Sequence, residues 1–434
     1  MVCFVNKLYL VAVTGLVLFA GGVSAEQGDS DISAKLERME AEIAELKSRL
    51  AQKDESDAEQ ESDISLLSQK LDEVSAGDAP FYGSAFENWS FGGYGDVHAN
   101  FNEGDGSDQF DFHRLVLYLG YDFSDWIKFH SEWELEHAYV SDDSGGEFLI
   151  EQAYFDFLLS NEFNVRAGRV LTPLGILNKW HEPTLFNGVE RPSFAKYIIP
   201  TTWSSDGIGA FGRLSPEWSY EAYVVGGLDG SKFDDVKGIR GGRIKERPSL
   251  HEPAFTGRVD YRPVAGFGGG DLRLGVSGYA GGLDNGNKGS NPGIDGDIRI
   301  ASADFEWSVS KFDFTGAVAH TSIDGAREIG NGTAEEMFGW YLEAGYHIWP
   351  EHWKKGKFAK TDMIVFARYD DYDTQYQMPF GVAANPAGDR NEITLGVSWK
   401  LTPDFVVKAD YQIREDDSDE DLNDGINLGI GFTF

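Results

Sequence analysis

The chain has 434 residues, with 72 acidic against 37 basic side chains and a formal net charge of −35. So acidic a balance excludes nucleic acid as a partner, because phosphate binding needs a basic face. A mean hydropathy of −0.34 reads as soluble, yet 14% aromatic residues, 11 Trp and 52 Gly suit a β-rich chain whose apolar positions alternate with polar ones.

Residues 1–25 have the form of a signal peptide. Lys7 is the positive flank, Leu8 to Ala20 the apolar run, and Val23-Ser24-Ala25 the small–x–small cleavage site. The only cysteine, Cys3, lies inside it, so the mature chain is expected to have no thiol and no disulfide. No later segment is apolar for long enough to be a membrane-spanning helix.

Residues 26–79 contain no aromatic residue, and their apolar positions keep a seven-residue frame. Ile32, Leu36, Met39, Ile43, Leu46 and Leu50 hold it first; Ile64, Leu67, Leu71 and Val74 resume it in phase. Such a narrow stripe in a polar segment predicts a coiled coil that buries itself against its own copies. Mixed Leu, Ile, Met and Val at the seam leave dimer or trimer open. Gly77 and Pro80 end the helix.

From Trp89 the period falls to two, so residues 80–434 read as a β domain. Ile127, Phe129, Trp133 and Leu135 oppose Lys128, His130, Glu132, Glu134 and Glu136 within 126–139. Phe338, Trp340, Leu342 and Tyr346 oppose Gly339, Tyr341, Glu343 and His347. Ile393, Leu395, Val397 and Trp399 oppose Glu392, Thr394, Gly396 and Ser398. Ala409 and Tyr411 oppose Lys408 and Asp410. The last strand sets Ile426, Leu428, Ile430, Phe432 and Phe434 against Asn427, Gly429, Gly431 and Thr433.

Short polar turns at 122–125, 160–162, 215–217, 310–311 and 402–404 alternate with long Gly- and Asp-rich connections. A sandwich has no reason to gather every long loop at one end; a barrel with short periplasmic turns does. The segments count to about sixteen strands of roughly ten residues. The expected fold is therefore an all-β transmembrane antiparallel barrel behind a helical coiled coil. Its partners would be outer-membrane lipid, further copies of the chain, and small solutes or ions. Two turns on the short side, 263–270 and 350–361, exceed the rule.

The connection from Thr172 to Trp203 is different in kind. It carries Leu174, Ile176, Leu177, Trp180, Phe186, Phe194, Tyr197, Ile198 and Ile199 with four prolines. A loop this apolar is expected to leave water and pack inside the barrel, where it would narrow the channel. By count it is the third external loop. Its polar residues Lys179, His181, Glu182, Glu190, Arg191 and Lys196 are the constriction candidates. Around them, Lys128, His130, Glu132, Glu134, Arg258, Asp260, Arg368, Glu392, Lys408 and Asp410 are expected to line the bore. Opposite charges alternate along single strands, as in Arg368–Asp370 and Lys408–Asp410, and some of these are expected to be structural pairs across the wall.

Other signals carry little. Asp419 to Gly425 misplaces the glycine of a calcium loop. His130 and His137 do not share a strand face, which argues against a metal pair. Glu132, Glu134 and Glu136 read as an electrostatic wall rather than an acid–base pair. There is no nucleophile elbow, phosphate-binding loop or CxxC, and no catalytic residue, metal or cofactor is expected. The leading reading is a passive diffusion channel and not an enzyme. The alternatives are an outer-membrane hydrolase and a structural or adhesive barrel tied to the cell wall through its coiled coil.

The stretch from Phe91 to about Gly230 resembles one family of Gram-negative barrels. The resemblance is carried by GGYGDVHANF (92–101), DFHRLVLYLGYDFSDWIKFHSEWELEH (111–137), GEFLIEQAYFDF (146–157), RAGRVLTPLGILNKWHEPTLFNGVERP (166–192) and YIIPTTWSSDGIGAFGRL (197–214). These blocks are similar to the phosphate-selective porin O and P superfamily. The resemblance implies a sixteen-stranded trimeric porin of the outer membrane, an inward third loop at 172–204, and a periplasmic coiled coil that holds the trimer. Phosphate-specific members line their channel with an arginine ladder and a lysine cluster. Here the lumen basics are interleaved with carboxylates, so phosphate selectivity is not carried over.

Overall fold

A computed structural model describes residues 88–103, 108–140, 145–287, 293–418 and 422–434. The signal peptide, the coiled coil and the start of the acidic turn at 419–425 lie outside the described residues.

Sixteen strands follow one another: β1 (Trp89–Asn102), β2 (Gln109–Asp122), β3 (Ile127–Glu136), β4 (Glu147–Leu158), β5 (Asn164–Leu171), β6 (Ser204–Arg213), β7 (Trp218–Gly226) and β8 (Pro253–Tyr261). The second half is β9 (Asp271–Gly282), β10 (Asp297–Val309), β11 (Phe312–Ile323), β12 (Glu336–His347), β13 (Asp362–Gln377), β14 (Asp389–Thr402), β15 (Phe405–Asp416) and β16 (Gly425–Thr433). Each pairs antiparallel with its sequence neighbours, and β1 closes on β16 with Tyr94 opposite Thr433 and Phe101 opposite Ile426. Closure leaves no sheet edge, the condition for a strand protein in hydrocarbon.

The period-two alternation fixes which face meets lipid. Ile426, Leu428 and Ile430 are 50%, 45% and 40% exposed on the outer face, while Asn427 between them is wholly buried. Leu342, Leu395, Val276 and Phe255 continue this apolar outer band around the barrel. Aromatic rings gather at the short-turn end, where Trp89 meets Tyr121, Trp218 meets Tyr261, Phe312 meets Tyr346, and Phe432 meets Phe434. Such a girdle suits the level of the headgroups. The two over-long short-side turns hold no extra strand: the one after β12 forms 3-10 turns at Glu351–Trp353 and Gly356–Phe358 and packs Trp349 on Trp353 and Phe358.

β3 stops at Glu136, three residues short of the expected 139. His137 still donates its N–H to the His113 carbonyl of β2 at 2.9 Å, but His137 and Ala138 then take positive φ (56° and 52°), and the His137 ring lies 2.5 Å from Asp111.

Candidate functional site

Loop 3, residues 172–203, is closed at its base by one side chain. Asn178 Nδ2 donates to the Thr172 carbonyl at 2.6 Å and to the Trp203 carbonyl at 3.0 Å, and Asn178 Oδ1 accepts from Trp203 N at 2.8 Å. Both loop ends are thus tied to a residue six positions in, which turns the chain inward.

The loop then crosses the barrel interior. Its apolar side, Leu174, Ile176, Leu177, Phe194, Ile198, Ile199 and Trp203, is buried against Tyr223, Val225, Tyr279, Ile300, Ala317, Tyr341 and Tyr372 of the inner wall. Trp203 meets Tyr279 with ring centres 4.8 Å apart, and Tyr197 stacks on Tyr372 at 5.5 Å. Apolar inward positions on β7–β13 therefore complement the greasy loop, and burying both drives the loop out of water.

On the opposite side the seat is made by absent side chains. A Cβ on Gly429 would stand 3.0 Å from Val189 Cγ1, and one on Gly431 would stand 2.7 Å from Pro183 Cβ. The small face of β16 lets the loop backbone come close.

Polar contacts complete the crossing. Val189 N donates to Asp410 Oδ2 at 2.6 Å, Lys408 Nζ to the Gly188 carbonyl at 2.8 Å, and Phe194 N to Asp370 Oδ1 at 3.2 Å. Ser193 Oγ donates to Glu392 at 3.0 Å and Asn187 Nδ2 to Glu343 at 2.9 Å. Lys408 and Asp410 do not pair with each other: the ammonium goes to a loop carbonyl and the Phe186 ring (3.8 Å), the carboxylate to a loop amide and Asn427. Loop backbone groups entering a dry wall need partners more than two solvated side chains need each other. Arg368 does pair with Asp370, at 3.0 Å, and both side chains are wholly buried.

The constriction candidates are placed as follows. Lys179 pairs with Glu221 and lies 4.7 Å over the Trp180 ring. His181 is buried, with Nε2 3.2 Å from Glu151. Glu182 reaches Tyr118 at 3.5 Å, and Arg191 donates to the His181 carbonyl at 3.4 Å. Glu190 takes His98 at 3.1 Å, and Lys196 is exposed. Burial opposes charge on Glu190, but the hydrogen bond from His98 and its positive charge hold the carboxyl below the usual range. Burial likewise opposes charge on His181, and the Glu151 carboxylate overrides it, lifting the imidazole to about 9.

All ten expected lining residues sit on the wall, but they divide. Lys128 and His130 keep 41% and 33% of their side chains accessible. Glu132, Glu134, Arg258, Arg368, Glu392, Lys408 and Asp410 are buried, and Asp260 is half-buried. The expectation of an open lining is corrected for the seven buried residues: Arg368, Glu392, Lys408 and Asp410 bond to loop 3 or to one another, Arg258 pairs with Asp260 and Asp304, Glu132 pairs with His130, and Glu134 is enclosed beside them. Arg258 grips Asp304 with two bonds of 2.7 Å, and Arg273 lies 4.2 Å over Trp180 of the loop.

Three groups escaped the sequence reading. His98 and His113 stack inside the barrel with ring centres 4.4 Å apart. Glu151 is the extra residue of a bulge on β4: Glu132 pairs with Gln152 but Trp133 pairs with Ile150. A bulge turns two consecutive side chains to one face, so Glu151 joins Gln152 inside, both buried. A signal existed, since the outward aromatics change parity from Phe148 to Phe155. The third is a vestibule of about 660 Å³ on the long-loop side, walled by Lys232, Lys237, Arg240, Arg243 and Lys245 with Asp229 and Glu246.

Residues 88–433 match the family described as phosphate-selective porin O and P. The chain belongs to that family. This porin is also 34% identical over 366 residues to a protein of Aquifex aeolicus (strain VF5) described as uncharacterized, covering 80% of each chain. Its fold is similar to Salmonella typhi OmpF in complex with daunomycin (TM-score 0.52, 11% identity, 80% of this chain and 98% of that one). It is similar, too, to a loop L8 deletion mutant of OmpT, an outer membrane protein of Vibrio cholerae (TM-score 0.50, 13% identity, 80% and 99%). Membership of the family makes the chain a porin, a channel barrel of the bacterial outer membrane.

Proposed function

We propose that this porin is a passive diffusion channel for small hydrophilic or ionic solutes, with loop 3 setting its size limit and the basic vestibule enriching anions at the outer mouth. The observation that carries the reading is the loop's path. It packs its apolar side on β7–β13 and its Pro183–Val189 stretch on β16, and leaves charged groups of β3, Lys128 and His130, accessible on the wall. A wet, charged strip beside an inward loop is what ion passage requires.

The charge pattern supports an anion bias without phosphate specificity. Arg114, Arg166, Arg169, Arg258, Arg273 and Arg368 each hold a carboxylate at 2.7–3.1 Å, so their charge is spent locally. Arg240 and Arg243, in contrast, have no carboxylate partner among the described residues, and donate to the Lys196, Arg240 and Thr201 carbonyls. Burial and the neighbouring Arg240 push the Arg243 guanidinium down to about 10, so it keeps its charge at neutral pH. Unpaired cations at a mouth raise the local anion concentration. We further propose a trimer, held in the periplasm by the coiled coil at 26–79.

Planar-bilayer recording under a salt gradient tests this. Open-channel conductance is expected, with a reversal potential on the anion side that moves toward cations when Lys179, Arg191 and Lys196 are replaced by Glu. A closed barrel would favour the structural or adhesive alternative, and an unmoved reversal potential would take those three residues out of the constriction.

A further inference from the structure

Where loop 3 meets β3 and β4 the barrel wall holds a knot of buried carboxylates that the channel reading does not use. Glu132, Glu134 and Glu151 are all buried there, together with His181 of the loop. The nearest guanidinium, Arg114, is committed to Asp96 at 3.1 Å and to the His181 carbonyl. Both oxygens of Glu151, one oxygen of Glu134, the Tyr94 hydroxyl and His181 Nε2 have no hydrogen-bond partner, although Glu151 is wholly enclosed. Leaving that many buried polar atoms unsatisfied is costly, and such a cluster calls for a missing partner.

The geometry says what kind of partner. One atom each from Glu132, Glu151 and His181 can be chosen so that all lie within 4.8 Å of one another. His181 Nε2 and Glu151 Oε1 stand 3.2 Å apart, yet make no aligned hydrogen bond. Two ligands each about 2.0–2.1 Å from a tetrahedral zinc ion are separated by about 3.3–3.4 Å, so this spacing suits two atoms facing a common ion. The other ring nitrogen of His181, Nδ1, lies 3.2 Å from the Asn178 carbonyl. That contact holds a proton on Nδ1, so Nε2 is the nitrogen that would give up its proton to a cation, the orientation found behind metal-bound histidines. Nitrogen with two carboxylates suits a borderline divalent ion. A dication would also offset the excess negative charge of three enclosed carboxylates.

We propose that Glu132, Glu151 and His181 form a divalent-cation site of the zinc type, which fastens loop 3 to the β3–β4 wall. The β4 bulge has a purpose on this view: it turns Glu151 inward to meet a loop residue 30 positions later in the chain. Tyr94 meets the His181 ring edge-on at 6.0 Å and closes the site from the β1 side.

The test is metal binding by the full chain in detergent, stripped with a chelator and then supplied with Zn²⁺ alone. One zinc ion per chain is expected to survive gel filtration. Glu151→Gln and Glu132→Gln should weaken retention at least about tenfold, whereas Glu136→Gln, altering a neighbouring carboxylate outside the set, should retain it. Co²⁺ in the unaltered chain should give ligand-field absorption of a nitrogen–oxygen site, a readout that needs no variant to fold. Substoichiometric zinc in the unaltered chain, retention unchanged by Glu151→Gln, or no cobalt band would each overturn the proposal. None of these measurements depends on conductance, so the channel reading stands or falls separately.

Discussion

The two sides of the barrel interior carry similar sequence patterns and end in opposite states. On β13–β15, Arg368, Asp370, Lys408 and Asp410 alternate with outward apolar residues, and all are sealed beneath loop 3. On β3, Lys128 and His130 alternate in the same way and stay accessible. The difference is what lies over them. A charge at an inward position becomes an anchor where the loop covers it and a wet lining where it does not. Charge spacing along a strand therefore says little about conduction until the loop's path is known.

The comparison can be broken most strongly on the sealed side. Arg368→Ala leaves Asp370, Glu343 and Glu392 enclosed without their shared cation. The expected cost is about 3–5 kcal/mol, read as a lowered midpoint in denaturant unfolding from detergent. Asn178→Ala removes the clasp at the loop base and orphans the Trp203 amide, while the Thr172 and Trp203 carbonyls keep only their backbone donors, Leu174 N and Thr172 N. A loss of about 1–3 kcal/mol is expected, together with faster proteolysis of loop 3. On the accessible side, Lys128→Ala should change stability by less than about 1 kcal/mol, while altering single-channel conductance. An equal loss of stability in Lys128→Ala and Arg368→Ala would erase the distinction.

Acid–base behaviour sharpens it further. His181 is raised above its ordinary 6.5 to about 9, so its ion pair with Glu151 stabilises fully below pH 6.5 and is lost as pH rises through 9. Metal-free protein should accordingly show loop 3 growing more protease-sensitive across that alkaline window. Glu190 moves the other way: its lowered pKa contributes stability above its ordinary 4.5, lost as pH falls. The smallest effect is expected at the vestibule. Arg240→Glu with Arg243→Glu should move the reversal potential a few millivolts toward cations at low salt, with the shift fading near 1 M as screening shortens to about 3 Å.

Much of the fold was legible because the membrane permits few solutions. Alternation in β12, β14, β15 and β16 told inside from outside, and alternating connection lengths gave the strand count. Loop 3 was legible from its greasiness alone. The site was not, for local reasons. Lys408 and Asp410 look like a pair along the chain but are claimed by loop backbone groups more than 200 residues away. Glu151 and Gln152 both face inward because of a one-residue bulge, where a strict period of two would have sent one of them to the lipid side. His137 left its strand through a positive φ that side-chain spacing does not encode.

The close approach of Val189 and Pro183 to Gly429 and Gly431 ties the seat of loop 3 to the barrel's seam. Part of the cradle that receives loop 3 belongs to β16, which also zips onto β1 to shut the cylinder. A side chain added on the inner face of this closing strand would therefore press on the inward loop and on the seal of the cylinder together.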